Sequence, residues 1–311
     1  MDKLTFQNTY HLIKPYIHRT PVLTSQSLNA ICETEIFFKC ENFQKTGAFK
    51  MRGAVNAILS LTDVQRSKGV VTHSSGNFAQ ALSLAAKNLN VKAYIVMPSN
   101  APKVKKEAVK NYGGIIIECD PNINARENEA LRIQKEKKAT FIHPSNHDAV
   151  IYGQGTAAIE LLEDYGDLDY IFTPVGGGGL LAGTILAANY FSNGCKVIAG
   201  EPEEADDAYR SLISGNIEIN KTSNTLADGL RTHLGDRNFP IIKEYVEEII
   251  RVDEKEIIKA MQLIWERMKI IIEPSSAVAV AAVLKDKKRI KNKKIGIIIS
   301  GGNIDVSNLP F

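Results

Sequence analysis

Along most of this chain, short and almost wholly apolar runs alternate with amphipathic stretches. "EIFFKCE" (35–41), "GVVTHSS" (69–75), "KAYIVMP" (92–98), "GGIIIEC" (113–119) and "ATFIHP" (139–144) have the length and the β-branched or aromatic content of strands. "DYIFTPV" (169–175), "CKVIAGEP" (195–202), "EEIIRV" (247–252) and "KIGIIISGG" (294–302) continue the series. Between them, "AQALSLAAKNL" (79–89), "ARENEALRIQKEKK" (125–138) and "IIKAMQLIWERMK" (257–269) carry helical periodicity. Strands that are apolar on both faces must be covered on both faces, which selects α/β architecture with parallel sheets. With 311 residues, one large or two ordinary domains can form a substantial core.

Glycine-rich turns close three of these strands: "SSGN" (74–77), "GGGG" (176–179) and "SGGN" (300–303). In open parallel sheets, ligands bind beyond the carboxyl ends of the strands, so three such loops point to one ligand held from several sides. The run at 176–179 lies between a buried strand and an apolar helix, where a flexible linker has no place. Each glycine costs roughly 0.5–1 kcal/mol relative to alanine in a regular element. Close approach of backbone N–H groups to an anion, at a helix N-terminus, accounts for that cost. The run is neither a Walker A loop nor GxGxxG, because Leu180 and Leu181 follow at once.

The remaining composition excludes other classes. Lys plus Arg is 38 against 35 for Asp plus Glu, so no massed charge marks a nucleic-acid or membrane surface. The basic stretch "KDKKRIKNKK" (285–294) reads as a solvated helix end and linker. No apolar run reaches a membrane-spanning length and no signal peptide is visible. The four cysteines form no CxxC pair, which favours reduced thiols and a cytoplasmic setting.

In "GAFKMRGA" (47–54), Lys50 stands where the chain turns inward. A lysine, an anion cradle and no nucleotide signature together point to pyridoxal phosphate bound to the lysine as a Schiff base, which requires a neutral amine. The alternative for Lys50 alone is a surface lysine with its stem on apolar neighbours.

"KTGAFKMRGA" (45–54), "THSSGNFAQALSLAA" (72–86), "PVGGGGLLAG" (174–183) and "SGGN" (300–303) resemble fold-type II pyridoxal-phosphate enzymes of the serine/threonine dehydratase family, in particular eukaryotic-type serine racemases. The resemblance runs from about residue 8 to residue 306. It implies the fold-type II architecture, like the tryptophan synthase β subunit, with two parallel-sheet domains. A large one spans 1–67 and 148–311. A smaller one, 68–147, closes over substrate.

The resemblance also implies roles for residues. Lys50 is the Schiff-base lysine, with Phe49 beside the cofactor. Gly176, Gly177, Gly178 and Gly179 hold the phosphate, Asn77 the phenolic oxygen, and Ser300 faces the pyridine nitrogen. A hydroxyl there makes a weaker electron sink than a carboxylate; taken alone, Ser300 reads as an ordinary turn serine. Ser75 is the second acid–base group, with a substrate-carboxylate clamp as its alternative. Ser74, Gly76 and Asn77 complete the substrate loop. Arg126 reaches that loop or is a solvated helix arginine. The family's histidine after "GN" is Phe78 here. "HPSNHDAV" (143–150) also departs from the racemase pattern and puts His147 near the substrate side chain, which leaves 3-hydroxyaspartate open as a substrate.

Further sites follow from the same resemblance. Glu201, Asp207 and the carbonyl of Ala205 match a Mg²⁺ or Ca²⁺ site, in a segment whose clustered carboxylates otherwise read as a solvated acidic turn. Lys45, Gln80, Lys105, Ala108, Tyr112, Lys269 and Asn303 match an inter-subunit site for ATP as an activator, which implies a homodimer. The expected activity is conversion of L-serine to D-serine with β-elimination to pyruvate and ammonia. The alternatives are a dehydratase of serine, threonine or 3-hydroxyaspartate with little racemisation, or a non-catalytic sensor of amino acid or nucleotide.

Overall fold

Ten strands form two sheets in the computed structural model, which describes residues 2–311 apart from the side chain of Ile123. They are β1 (Val22–Leu23), β2 (Glu35–Cys40), β3 (Val70–His73), β4 (Ala93–Pro98), β5 (Ile115–Cys119), β6 (Thr140–Phe141), β7 (Tyr170–Pro174), β8 (Lys196–Pro202), β9 (Val246–Val252) and β10 (Lys294–Ile299). The larger sheet has the order β1-β2-β10-β7-β8-β9, parallel except for the antiparallel edge β1. The second, β5-β4-β3-β6, is wholly parallel and lies within residues 70–141.

The apolar pattern accounts for this arrangement. Ile36, Phe38, Phe172, Ile198, Ile297 and Ile299 pack on one face of the larger sheet against the helix Pro274–Lys285, whose residues from Ser275 to Val283 are all buried. The other face holds Phe37, Ile171, Val197 and Ile298 against the helix Gly179–Phe191, buried from Gly179 to Ala188. A strand sandwiched in this way has no polar face to present, hence the continuous apolar runs. The core of the second sheet draws Met51, Ala54, Val55 and Ile58 from the helix Lys50–Leu59, and Val150 from the helix Asp148–Asp164.

Two boundaries differ from the sequence pattern for local reasons. The run 139–144 pairs only over β6, because His143 Nδ1 accepts from the N–H groups of Ser145 and Asn146 and turns the chain. Pro144, lacking an N–H, cannot extend the ladder. In the run 113–119, Gly113 has φ +86°, so pairing starts at Ile115. Strand β1 is two residues long, too short to show a period.

The helix beginning at Lys50 is fixed by a buried ionic cluster. Arg52 donates from Nε to Glu41 at 2.7 Å and from Nη2 to Glu160 at 2.8 Å, while Lys39 Nζ lies 2.7 Å from the same Glu160 oxygen. Two cations meet two anions with no solvent exposure beyond about 1%. Such clusters add little net stability but penalise any packing that breaks them. They therefore fix the position of β2 and the two helices relative to each other. No helix among the described residues is long and apolar enough to cross a membrane.

Candidate active site

The quoted glycine loops, the lysine segment and the 143–147 turn all lie beyond the carboxyl ends of strands, where parallel sheets direct their loops. Lys50 opens its helix after β2; its stem is half-buried and its Nζ donates to Pro144 O at 3.0 Å. The same Nζ lies 4.9 Å from the ring centre of Phe49 and 5.9 Å from that of Phe78. Desolvation lowers its pKa to about 8, against an opposing pull from the Glu273 carboxylate. Phe78, in the place of the family's histidine, thus packs beside the lysine itself.

The turn at 143–146 joins Lys50 to the glycine run. Pro144 O accepts the hydrogen bond from Lys50 Nζ, and a Cβ on Gly177 would sit 2.4 Å from Ser145 Oγ. Gly178 has φ +76°, and a Cβ there would meet Asn238 Oδ1 at 2.6 Å. Asn238 is fully buried and donates from Nδ2 to Gly177 O at 2.9 Å, which pins the loop from behind. Gly178 is also the N-cap of the helix Gly179–Phe191, whose first N–H groups have no acceptor within the helix. The close packing explains part of the glycine requirement. The free N–H groups at the helix N-terminus fit a phosphate.

Asn77, first residue of the helix Asn77–Asn88, donates from Nδ2 to both oxygens of Glu273 at 3.0 and 3.1 Å. Its Oδ1 accepts from Asn303 Nδ2 at 2.9 Å. Nδ2 carries two hydrogens, so the carboxylate leaves one for a further oxygen. Glu273 is buried, and desolvation raises its pKa to about 7 despite the Asn77 bond. Nearby, Phe49 N–H donates to Ser300 O at 3.0 Å, and Ser300 Oγ lies 2.9 Å from Ser276 Oγ.

The loop 74–76 faces open space: a Cβ on Gly76 would meet nothing within 4 Å. Ser74 Oγ accepts from Gly76 N–H at 3.4 Å, and Ser75 Oγ has no hydrogen-bond partner among the described residues. Arg126 lies near enough to His73 to oppose its protonation. His143 is held neutral by burial, its pKa lowered to about 4, and His147 Nδ1 is buried without a partner among the described residues.

The acidic segment after β8 is more divided than its sequence. Glu204 is exposed, and Asp206 is paired with Arg210 and Arg251 at 2.8 and 3.0 Å. Glu201 and Asp207 are fully buried, and Ala205 is buried between them in sequence. Glu201 accepts from the N–H groups of Ala208 and Tyr209, yet burial and the Asp207 charge push its pKa well up. Asp207 is raised to about 7, chiefly by burial, and its Oδ2 has no hydrogen-bond partner among the described residues. Two crowded carboxylates with an idle oxygen fit a hard cation.

Of the residues matched to an ATP site, Asn303 joins Asn77 and Thr46 O, and Lys105 pairs with Asp228 at 2.6 Å. Lys45 adjoins Thr46, while no hydrogen bond or ion pair ties Gln80, Ala108, Tyr112 or Lys269 to this network among the described residues. Glu273, Ser276 and Asn238 escape sequence reading. A glutamate before Pro274 at a helix start is the one available signal for Glu273. Asn238 has none, being sequence-distant from the loop it holds.

A desolvated lysine, a glycine-rich helix N-terminus and a polar network at the carboxyl ends of parallel strands define a pyridoxal-phosphate enzyme. The chain belongs to the pyridoxal-phosphate dependent enzyme family, whose model matches residues 13–301. It is 54% identical to the serine racemase of Dictyostelium discoideum over 96% of this chain and 93% of that protein. It is 47% identical to the beta-hydroxyaspartate dehydratase of Paracoccus denitrificans over 96% and 95%. The crystal structure of the Dictyostelium discoideum serine racemase superimposes with a TM-score of 0.93 at 52% identity, covering 97% of this chain and 98% of that one.

Proposed function

We propose that the protein is a pyridoxal-phosphate-dependent serine racemase that also eliminates water from serine to give pyruvate and ammonia. The observation that carries this reading is Lys50 Nζ, desolvated between two aromatic rings and joined through the 143–146 turn to the glycine run. When bound, the cofactor supplies an electron sink that acidifies the α-proton of an amino acid.

The chain's own groups then do the rest. Gly176–Gly179 and the helix behind them hold the phosphate, and Asn77 offers its remaining amide hydrogen. Phe49 and Phe78 keep water from the lysine. With its pKa near 8, Lys50 Nζ is neutral in an appreciable fraction of molecules around neutral pH, so it can take the α-proton from one face. Ser75 Oγ, free of other partners, serves the opposite face, and Ser74, Gly76 and Arg126 bind the substrate carboxylate. Proton delivery from the face opposite to removal inverts the centre. Departure of the β-hydroxyl first gives elimination.

Mg²⁺ or Ca²⁺ at Glu201, Asp207 and the Ala205 carbonyl, ATP as an activator in a homodimer, and closure of 68–147 over 1–67 and 148–311 complete this reading. A second reading, elimination from 3-hydroxyaspartate, is supported by the Paracoccus denitrificans relative and by the unpartnered His147 Nδ1.

One experiment separates these. L-serine and, in a parallel reaction, L-threo-3-hydroxyaspartate are supplied, and D-serine, pyruvate and oxaloacetate are measured. D-serine formation by the parent, abolished in Lys50→Ala together with the visible absorbance of the lysine-linked cofactor, is expected. Turnover of hydroxyaspartate alone would favour the second reading.

A further inference from the structure

Asn238 stands directly before the short helix Phe239–Tyr245, which has a proline in its first turn, and so reads locally as a helix cap. An asparagine in that place ordinarily accepts from the first N–H groups of its own helix. Asn238 makes no such bond. Its side chain is instead fully buried against another part of the chain. Oδ1 accepts from Gly235 N–H at 3.0 Å, while Nδ2 donates to Gly177 O at 2.9 Å and makes a longer contact with Ser145 O at 3.4 Å. A backbone N–H only donates and a carbonyl only accepts, so these partners fix which end of the amide carries the hydrogens.

The bond to Gly177 O bears on the next residue. In a trans peptide the C=O and the following N–H point in opposite directions, and none of the peptide bonds described is cis. Holding Gly177 O behind the loop therefore turns the Gly178 N–H to the other side. The backbone by itself does not make that choice. Gly177 and Gly178 both lack a Cβ, so the peptide between them is free of the clashes that would forbid one orientation. The helix Gly179–Phe191 fixes only the peptide that follows, through Ala182 N–H to Gly178 O at 2.9 Å. Among the described residues, no backbone N–H donates to Gly177 O, and the N–H groups of Gly176, Gly177 and Gly178 have no acceptor.

We propose that Asn238 is a positioning residue that aims the Gly178 N–H at the cofactor's phosphate. This rests on the functional reading above, in which Gly176–Gly179 hold that phosphate. With the peptide flipped, the Gly177 carbonyl oxygen would face the anion, and an attractive dipole would become a repulsive one. Selectivity for the phosphate, as distinct from the rest of the cofactor, thus depends on a side chain 61 residues further along the chain. The contact with Ser145 O joins the same amide to the turn whose Pro144 O accepts from Lys50 Nζ. One buried side chain accordingly holds the phosphate cradle and the lysine turn in a fixed relation.

The test uses full-length, cofactor-free protein titrated with pyridoxal phosphate or with pyridoxal, the same ring without the phosphate. Binding is read from the visible absorbance of the lysine-linked ring. Asn238→Ala is expected to weaken pyridoxal phosphate roughly ten- to hundredfold, the worth of one hydrogen bond to a charged group, and to leave pyridoxal at the parental affinity. A merely structural asparagine would lower both alike. Asn238→Leu, which keeps the volume and removes the amide, is expected to show the same selective loss. In the parent labelled with ¹⁵N at glycine, the Gly178 amide proton is expected to move downfield when pyridoxal phosphate binds and to stay in place with pyridoxal. A parent that takes up no pyridoxal phosphate sinks the functional reading itself. Equal loss of both ligands in a folded variant, or no loss of either, overturns this inference alone. An unmoved Gly178 proton in the loaded parent overturns it as well, even if neither variant folds.

Discussion

Glu273 and Lys50 carry opposite departures from their usual ionisation, and burial causes both. The Glu273 pKa is raised from 4.5 to about 7, so the folded chain holds a proton there that the unfolded chain has released. Stability therefore falls as pH rises from about 4.5 to about 7. The Lys50 pKa is lowered from 10.5 to about 8, so the unfolded chain holds the extra proton and stability rises as pH climbs between those values. Urea midpoints of cofactor-free protein across this range are expected to show the first slope reduced in Glu273→Gln. An unchanged slope would mean that Glu273 is ionised when folded. Ser75 is decided by products rather than stability. Ser75→Ala is expected to lower D-serine formation by about 10²–10⁴-fold, the usual cost of losing a positioned proton-transfer group. Pyruvate from L-serine should largely persist, because Lys50 serves that face. Equal racemisation by mutant and parent would reduce Ser75 to a carboxylate clamp.

At the scale of elements, the glycine run is held between the 143–146 turn and Asn238. The tight contacts are protein contacts: Gly177 against Ser145, Gly178 against Asn238 and Gly179 against Ser145 O, at 2.4, 2.6 and 2.8 Å from a built Cβ. A side chain at 177 pushes Ser145 back, and with it Pro144, the acceptor of Lys50 Nζ. Gly177→Ala is thus expected to weaken cofactor binding by tenfold or more while circular dichroism stays native. Its dissociation constant, measured by fluorescence of the released cofactor, checks this. Parental affinity would show that the turn yields without disturbing Lys50.

For the whole molecule, the helix Asp207–Ser214 is joined to β8 through buried carboxylates that repel each other. A cation bound only by the folded chain adds RT ln(1 + [L]/Kd) to its stability, about 2.7 kcal/mol at a hundredfold excess over Kd. Mg²⁺ or Ca²⁺ is accordingly expected to raise the melting temperature of the parent. In the double variant Glu201→Ala with Asp207→Ala, neither ion should do so. A parent indifferent to both ions would leave Glu201 as a clamp on the helix N-terminus, accepting from Ala208 and Tyr209.

The sequence by itself determined the parallel α/β class, because runs such as 36–38 and 295–299 are apolar throughout and admit no exposed face. It also marked Lys50 and Gly176–Gly179, since a lysine at a turn and glycines after a strand are local signals tied to chain direction, whereas Asn77 and Ser300 stood out only through the family resemblance. Only the tertiary structure decided what each of these touches. Glu273 meets Asn77 across 196 residues, Asn238 holds Gly177 across 61, and Ser276 reaches Ser300 across 24. Nothing in the local pattern encodes such pairs, because they arise where separate strands deliver their loops to one edge. The acidic run at 201–207 makes the same point about charge. Five carboxylates look alike in sequence, but folding exposes Glu203 and Glu204, pairs Asp206 with two arginines, and buries Glu201 and Asp207, because each side chain leaves its turn in a different direction.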